Sequence, residues 1–294
     1  MSDNKETFRK EFSSWGAFVD YCENAPSEIT IDHRASRRDD ASYKYFTHAE
    51  NWKEVLDLSK EGWPEGLKKS KEIASSLFDH VSSMIERVDV NHDIEGHAID
   101  VARYVDGEPE CWLKFENVIQ ESENGHKLIK ITFNCSVSAG VSIDTIIARG
   151  ATIVALIELL EYAGHRVELT LAHAVSDYRH ETVPTMSAFV KIKEFDQNLN
   201  MPMISYALAH PSVLRALMFS YMETAPYLIR RLVGVPDGGY GTPRDIQTED
   251  KGDIHISHGY GGYGGDIQWR DQKSAEKWIL EQLQKQGVHL KKEK

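Results

Sequence analysis

The spacing of apolar residues predicts helices in the first part of the chain and a small β-structure after them. Apolar side chains recur at helical spacing in residues 1–30 and again, on one face, in residues 70–88. Residues 98–119 instead alternate and are rich in Val, Trp and Phe, which predicts two strands around a turn at 106–109.

From residue 127 onward, short apolar runs and longer helical patterns follow one another. The predicted elements, in chain order, are a strand at 128–134, a helix at 142–163, strands at 165–174 and 186–195, two helices broken at 210–211, a strand at 253–257 and a helix at 271–286. Because a strand, a helix and a second strand in succession form a right-handed parallel unit, we expect the first two strands to be adjacent and parallel. The third strand follows with no helix before it, which predicts an antiparallel edge strand.

These elements predict an α/β fold with a Rossmann-like, mostly parallel sheet that carries helices on both faces. A smaller helical and β region precedes the sheet. We therefore divide the chain into a helical, basic and aromatic N-terminal region at 1–66, a helix with a β-hairpin at 67–126, and the α/β domain at 127–290.

Composition and charge narrow the classes of function. Of 294 residues, 41% are hydrophobic and 27% are charged, as in ordinary globular proteins. No apolar run approaches the roughly 20 residues of a membrane helix, and the start is polar, so we expect a cytoplasmic protein that does not enter a membrane. The three cysteines are too far apart for a disulfide framework. A net charge of -12 disfavours nonspecific binding to duplex DNA and suits a basic protein partner.

The loop NCSVS at 134–138 lies where the first strand of the predicted sheet ends, and ligands of open α/β sheets bind at such ends. This loop and the order of elements resemble the von Willebrand A family, which has Asp-x-Ser-x-Ser at this place and holds a divalent ion there. The resemblance implies a degenerate metal site formed by Asn134, Ser136, Ser138 and Asp177. Because the amide of Asn134 lacks the anionic oxygen that Mg²⁺ favours, we expect no tight binding of a divalent ion.

A second group of metal-ligand residues consists of His92, Asp93 and His97, with Asp100 close in sequence. Imidazole and carboxylate together suit Zn²⁺ or Mn²⁺, which makes a metal-dependent hydrolase or nuclease the alternative function. The two histidines are five residues apart rather than four, so they do not share one helix face. A surface loop before a strand is the other interpretation.

A basic and aromatic stretch precedes these segments. Its arginines could hold phosphates while its aromatic rings stack on the bases of single-stranded DNA, although a solvated surface would have the same composition. The candidate nucleic-acid-binding residues are Arg34, Arg37, Arg38, Tyr43, Tyr45 and Phe46. Two glycine- and tyrosine-rich segments, at 237–241 and 259–265, predict flexible loops or tyrosines that stack on bases or on a partner.

Several segments together resemble a family of uncharacterised bacteriophage proteins. The segments are GWPEG at 62–66, DGEPE at 106–110, RGA at 149–151, GHRVE at 164–168 and AHPS at 209–212. The resemblance extends to the accessory factor that brings a phage-encoded RNA polymerase to single-stranded promoter DNA. It implies a non-enzymatic binding or adaptor protein in phage transcription or host takeover, in the host cytoplasm, with a protein partner such as that polymerase. We expect no cofactor other than a divalent metal at one of the two candidate metal sites.

Overall fold

The computed structural model describes most of the chain. The described residues are 7–24, 35–37, 40–63, 68, 71–72, 75–79, 81, 89–95, 98–116, 127–177, 183–259, 269 and 271–288.

Strands and helices are found along the whole described chain. The strands are β1 (Phe8–Phe12), β2 (Asp89–Asp93), β3 (Ala98–Ile99), β4 (Trp112–Glu116), β5 (Leu128–Asn134), β6 (Arg166–Ser176), β7 (Met186–Lys193), β8 (Thr242–Pro243) and β9 (Ile254–Ile256). The α-helices are α1 (Trp15–Asn24), α2 (Ala41–Thr47), α3 (Trp52–Glu61), α4 (Val101–Val105), α5 (Ile143–Tyr162), α6 (Met201–Ala209), α7 (Phe219–Glu223), α8 (Tyr227–Leu232) and α9 (Gln272–Lys285). A π-helix at Val213–Met218 joins the region of α6 to α7.

The main sheet is mostly parallel and has the strand order β1-β7-β6-β5-β9, with β8 paired to the end of β6. β5 and β6 are adjacent and parallel, with Leu128 opposite Arg166 and Asn134 opposite Ala172, and α5 connects them, as the sequence predicts. β7 is antiparallel to β6, which is also confirmed. The prediction that this strand forms the edge is wrong, because β1 pairs with its outer side in parallel register.

Local signals determine where α5 begins and ends. The Ser142 hydroxyl accepts a hydrogen bond from the Thr145 amide at 3.1 Å and caps the first turn. Gly164 follows the helix with a φ of 90°, a conformation that glycine adopts without steric cost, and it turns the chain into β6. α5 therefore has nearly the bounds that its apolar pattern predicts.

The two faces of the main sheet are covered differently. Alternate residues of β5, β6 and β7 pack with the apolar residues of the helices in one large core. On the other face Ala172, Ala174 and Phe189 pack around Ile246 of the segment after β8. Within the described ranges, the helical layer thus lies on one face, and not on both as predicted, because the segment at 244–252 covers the second face.

The first part of the chain differs from its predicted elements in two places. Residues 8–12, predicted to be helical, form β1, whose Phe8 ring stacks on Tyr221 at 5.1 Å. Of the two strands predicted in 98–119, the first is reduced to β3 and is followed by the short helix α4. β2, β4 and β3 form a separate antiparallel sheet, and the described residues from 68 to 81 are helical as predicted.

No helix in the described part of the chain is long and apolar enough to cross a membrane.

Candidate functional site

A pocket of about 470 Å³ opens at the carboxyl ends of β5 and β6, where ligands of open α/β sheets bind. Its walls are the loop after β5, the end of β6, the π-helix and the glycine-rich loop before β8. Helix α2 closes it from the side. The residues that line it are Ala35, Ser42, Tyr43, Phe46, Ser136, Val137, Ala139, His173, Val175, Leu214, Arg215, Phe219, Gly238, Gly239, Tyr240, Gly241 and Pro243.

The loop after β5 is held by hydrogen bonds within the protein. Asn134 is buried, its amide nitrogen donates to the Arg244 carbonyl at 2.8 Å, and its Oδ1 accepts from the Ser136 amide at 3.1 Å. The Ser136 hydroxyl accepts from the Ala174 amide at 2.9 Å. Two of the side-chain oxygens that the von Willebrand A resemblance assigns to a metal, those of Asn134 and Ser136, therefore already have protein partners.

Of the four residues of the degenerate metal site, only Asp177 carries an anionic side chain. Ser138 donates its amide to the Gly259 carbonyl at 3.4 Å, and Asp177 is buried directly after β6. The described residues hold no group of three or more His, Cys, Asp or Glu side chains that could bind a metal ion. The neutral oxygens of Asn134 and Ser136 thus fit Mg²⁺ poorly, because that ion favours anionic oxygen.

His173 of β6 lies beside Ser136 at the base of the pocket, with Nδ1 2.8 Å from the serine Oγ. Burial lowers the pKa of His173 to about 3, so the imidazole is neutral. Its Nε2 is 3.2 Å from the Met222 sulfur and not beside a carboxylate. Sequence reasoning missed this residue, although a histidine on the same face as Leu169 and Leu171 is an unusual choice for a core position.

Arg215 lies on the π-helix that follows the break at Pro211, and its side chain forms part of the pocket wall. Turns of π-helix are often found at functional sites. Its side chain is only 5% exposed and stacks over the Phe46 ring at 4.7 Å. The guanidinium donates to the carbonyls of Phe46 at 2.9 Å and Val141 at 2.8 Å, and more weakly to that of Ala139 at 3.5 Å. Burial lowers the pKa of Arg215 below its usual value.

Tyr240 of the glycine-rich loop covers the opposite side of the pocket. Its ring stacks on Phe219 with a centroid distance of 3.7 Å and an interplanar angle of 7°. Its hydroxyl donates to Glu223 Oε1 at 2.6 Å and accepts from the Ala35 amide at 3.1 Å. Tyr240 therefore stacks on a residue of its own chain, whereas stacking of these tyrosines on a base or on a partner stays a prediction.

Glu223 holds two walls of the pocket together. Besides Tyr240, this buried carboxylate accepts the Ser36 hydroxyl at 2.6 Å and the Ser36 amide at 3.2 Å. The segment before α2 and the glycine-rich loop are therefore fastened to the same side chain. Sequence spacing gives no sign of this contact, because the residues are far apart in the chain.

The basic and aromatic stretch does not form one exposed surface. Tyr43 is 1% exposed and donates to the Ser36 carbonyl at 2.8 Å, so it is a core residue and not a stacking platform. Arg37 donates to the Cys22 carbonyl at 2.8 Å and stacks over the Trp52 ring at 4.5 Å. Tyr45 is 82% exposed, and Phe46 lines the pocket. Arg34 and Arg38 lie outside the described residues.

The histidine cluster lies far from the pocket in the chain, on the small sheet. His92 of β2 has its Nε2 3.0 Å from Asp100 Oδ2, and Asp93 Oδ1 accepts the Ile94 amide at 2.7 Å. His97 lies outside the described residues, so the proposed set of His92, Asp93 and His97 stays a prediction.

A mostly parallel sheet with flanking helices and a ligand-sized pocket at its strand ends defines an α/β protein with a candidate binding site at those ends. Residues 2–289 match the model of the family described as "Domain of unknown function (DUF7192)", and the chain belongs to this family. No curated protein and no solved structure matches the chain.

Proposed function

We propose that this protein is a non-enzymatic binding protein. The pocket at the carboxyl ends of β5 and β6 binds either a small ligand or a segment of a partner protein. The observation that carries the proposal is that the potentially reactive side chains there form hydrogen bonds within the protein. Ser136 and His173 could in principle act as a nucleophile and a base, but they are buried and hydrogen-bonded to each other, and Ser136 also accepts a hydrogen bond from the Ala174 amide.

Two groups beside the pocket are also unsuited to catalysis. General acid–base catalysis favours a group whose pKa lies near the working pH, and His173, with a pKa of about 3, is too weak a base at neutral pH. Burial also raises the pKa of the Cys135 thiol to about 12, so the reactive thiolate is scarce. Apart from Arg215, the side chains that line the rest of the pocket are uncharged and mainly apolar or aromatic, which suits binding.

In its wider form the proposal makes the protein an adaptor in phage transcription or host takeover. Support comes from the resemblance to phage proteins and from the net charge of -12, which suits a basic protein partner such as an RNA polymerase. Single-stranded DNA is the proposed second partner, and Tyr45 is the exposed tyrosine of the basic and aromatic stretch that could stack on a base.

Uptake of N-phenyl-1-naphthylamine, a neutral dye that is dark in water, tests the pocket. We expect one dye to bind per chain, and Ala139→Trp at the rim of the pocket to abolish the fluorescence. Leu228→Ser is the matched control, because Leu228 is an exposed apolar residue of α8 outside the pocket. If Leu228→Ser reduces the fluorescence of the bound dye and Ala139→Trp does not, the dye binds to the surface of the protein, and the proposal is wrong.

The alternative function, a metal-dependent hydrolase or nuclease at His92, Asp93 and His97, has one observation in its favour. His92 and Asp100 form an imidazole–carboxylate pair, and such pairs orient metal ligands. Metal analysis of the purified protein, repeated with His92→Ala, tests this function. A stoichiometric transition metal that the variant loses would favour the enzyme.

A further inference from the structure

Arg215 is a buried cation with no carboxylate partner among the described residues. It forms no ion pair with any carboxylate of the described chain, and its hydrogen bonds all go to backbone carbonyls. Placing a charge in a low-dielectric core is costly unless it is paired, and carbonyl dipoles compensate only part of that cost. A buried arginine on a pocket wall is therefore suited to bind a negative charge that the described part of the chain does not supply.

The rest of the lining gives the charge and shape of what would meet it. Among the lining residues that the structure describes, Arg215 is the one charged side chain, and the lining contains no Asp, Glu or Lys. The rings of Phe46, Phe219 and Tyr240 line the same space, with Arg215 over Phe46 and Tyr240 over Phe219. One cation favours one negative charge, and the rings favour a flat apolar body.

The guanidinium also retains the donors that such a ligand needs. An arginine has five N–H groups, and at most three of them are used by the carbonyls of Phe46, Ala139 and Val141. A carboxylate or sulfonate accepts charge-assisted hydrogen bonds from the remaining N–H groups.

We infer that the pocket binds a small aromatic monoanion, such as an aromatic carboxylate, whose charge is held by Arg215 and whose ring lies among Phe46, Phe219 and Tyr240. This inference rests on the proposed function and specifies the ligand of the same site. The single cation favours a monoanion over a phosphate monoester, which carries closer to two charges at neutral pH.

Two dyes with the same ring system separate charge from shape. 8-Anilino-1-naphthalenesulfonate carries a sulfonate, whereas N-phenyl-1-naphthylamine is its neutral counterpart. By fluorescence titration we expect the anionic dye to bind wild type about tenfold or more tightly than the neutral one. Arg215→Gln should remove that preference, whereas Arg231→Met, which removes an exposed cation from α8, should preserve it.

A competition with wild-type protein makes the test independent of how the Arg215 variant folds. Benzoate should displace the anionic dye, and benzyl alcohol at the same concentration should not. Equal displacement by both compounds, or a preference that survives in folded Arg215→Gln, overturns the monoanion inference while the pocket proposal stands. If neither dye binds, or if Ala139→Trp leaves the binding of both dyes unchanged, the proposed function itself is wrong.

Discussion

The Ser136 hydroxyl donates a hydrogen bond to His173 Nδ1 across 2.8 Å, and this contact joins the loop after β5 to the end of β6. The direction follows from Met222, because its sulfur lies 3.2 Å from the imidazole Nε2 and can only accept a hydrogen bond, which leaves Nδ1 of the neutral imidazole as an acceptor. The Ser136 oxygen also accepts a hydrogen bond from the Ala174 amide. Serine and histidine thus position two strand ends relative to one another at the base of the pocket.

Burial of His173 predicts a loss of stability in acid. Its pKa is about 3 in the folded protein and near 6.5 when unfolded, so the unfolded chain binds a proton first as the pH falls. The free energy of unfolding should therefore decrease by about 1.4 kcal/mol per pH unit for this group between pH 6 and pH 4. In His173→Asn, which keeps an acceptor for Ser136, urea unfolding should show a slope smaller by that amount.

Measurements between pH 7.5 and pH 8.5 provide the control for this prediction. There the imidazole is neutral in both states, so wild type and His173→Asn should have parallel pH profiles. Equal slopes for the two proteins below pH 6 would mean that His173 becomes protonated while the protein is folded.

The loop at 134–138 should bind divalent ions weakly or not at all. Asn134 Oδ1 and Ser136 Oγ already accept amide hydrogen bonds, and neither is anionic. Calorimetry with Mg²⁺ and Mn²⁺ should give no affinity tighter than about 10 μM, which corresponds to roughly -7 kcal/mol. Tighter binding that Ser136→Ala abolishes would contradict the prediction.

Asn134→Asp extends this test. The Asn134 amide nitrogen donates to the Arg244 carbonyl, so a carboxylate there would face an acceptor. We expect this variant to lose about 1–3 kcal/mol of stability through the lost hydrogen bond rather than to acquire a metal. An increase in melting temperature on adding Mg²⁺ would show instead that one carboxylate restores the site.

Contact between α5 and α6 depends on the absence of a side chain at Gly150. A Cβ built there would lie 2.4 Å from the Leu208 carbonyl oxygen and 2.5 Å from Ala209 Cα, both of which are backbone atoms. Alanine normally stabilises a helix interior by about 1 kcal/mol relative to glycine, but this overlap forces the helices apart. We expect Gly150→Ala to cost about 1–3 kcal/mol by chemical denaturation.

Gly140→Ala is the matched control for Gly150, because nothing lies within 4 Å of a Cβ at Gly140. Its stability should remain within about 0.5 kcal/mol of wild type, as for most surface substitutions. Equal effects of the two alanines would indicate that α5 and α6 can move apart without cost.

Sequence patterns predicted the elements whose signals are local. β5, α5 and β6 combine a buried apolar run, a serine cap and a glycine stop within a few dozen residues, and the structure has them almost at the predicted bounds. The pairing of β1 with β7 joins the two ends of a long stretch of chain, and the alternation in five residues is too short to reveal it.

The candidate site was harder to predict for the same reason. Tyr43 and Tyr45 are two residues apart on α2, and the sequence does not indicate which of them faces the core. That orientation depends on the contact of Tyr43 with Ser36 and on the contact of Arg215 with Phe46, which links α2 to the distant π-helix. The carboxyl end of β5 was predicted as a ligand site, whereas Arg215 was missed because a single arginine in a helical pattern suggests only a surface charge.

Single-stranded DNA binding, where it occurs, should depend on Tyr45 rather than on the whole stretch from Arg34 to Phe46. Tyr45 is exposed and can stack on a base, which contributes about 1–3 kcal/mol per base. Tyr45→Ala should therefore weaken binding of a labelled oligonucleotide by about fivefold or more in fluorescence anisotropy, with little change in the slope against salt. Its melting temperature should match that of wild type, because the side chain contacts mainly solvent.

Tyr43→Ala and Arg37→Glu provide the contrast. Tyr43 is buried, so its truncation should cost about 3–5 kcal/mol of stability, as for other large aromatic residues in a core. Arg37→Glu would place a carboxylate beside the Cys22 carbonyl and remove a cation from Trp52, and it too should lower the melting temperature. Lost DNA binding in either variant therefore counts only at temperatures where the variant is folded.

An oligonucleotide that binds wild type and Tyr45→Ala equally, at every salt concentration, would show that Tyr45 stacks on no base and that the proposed adaptor acts through other contacts.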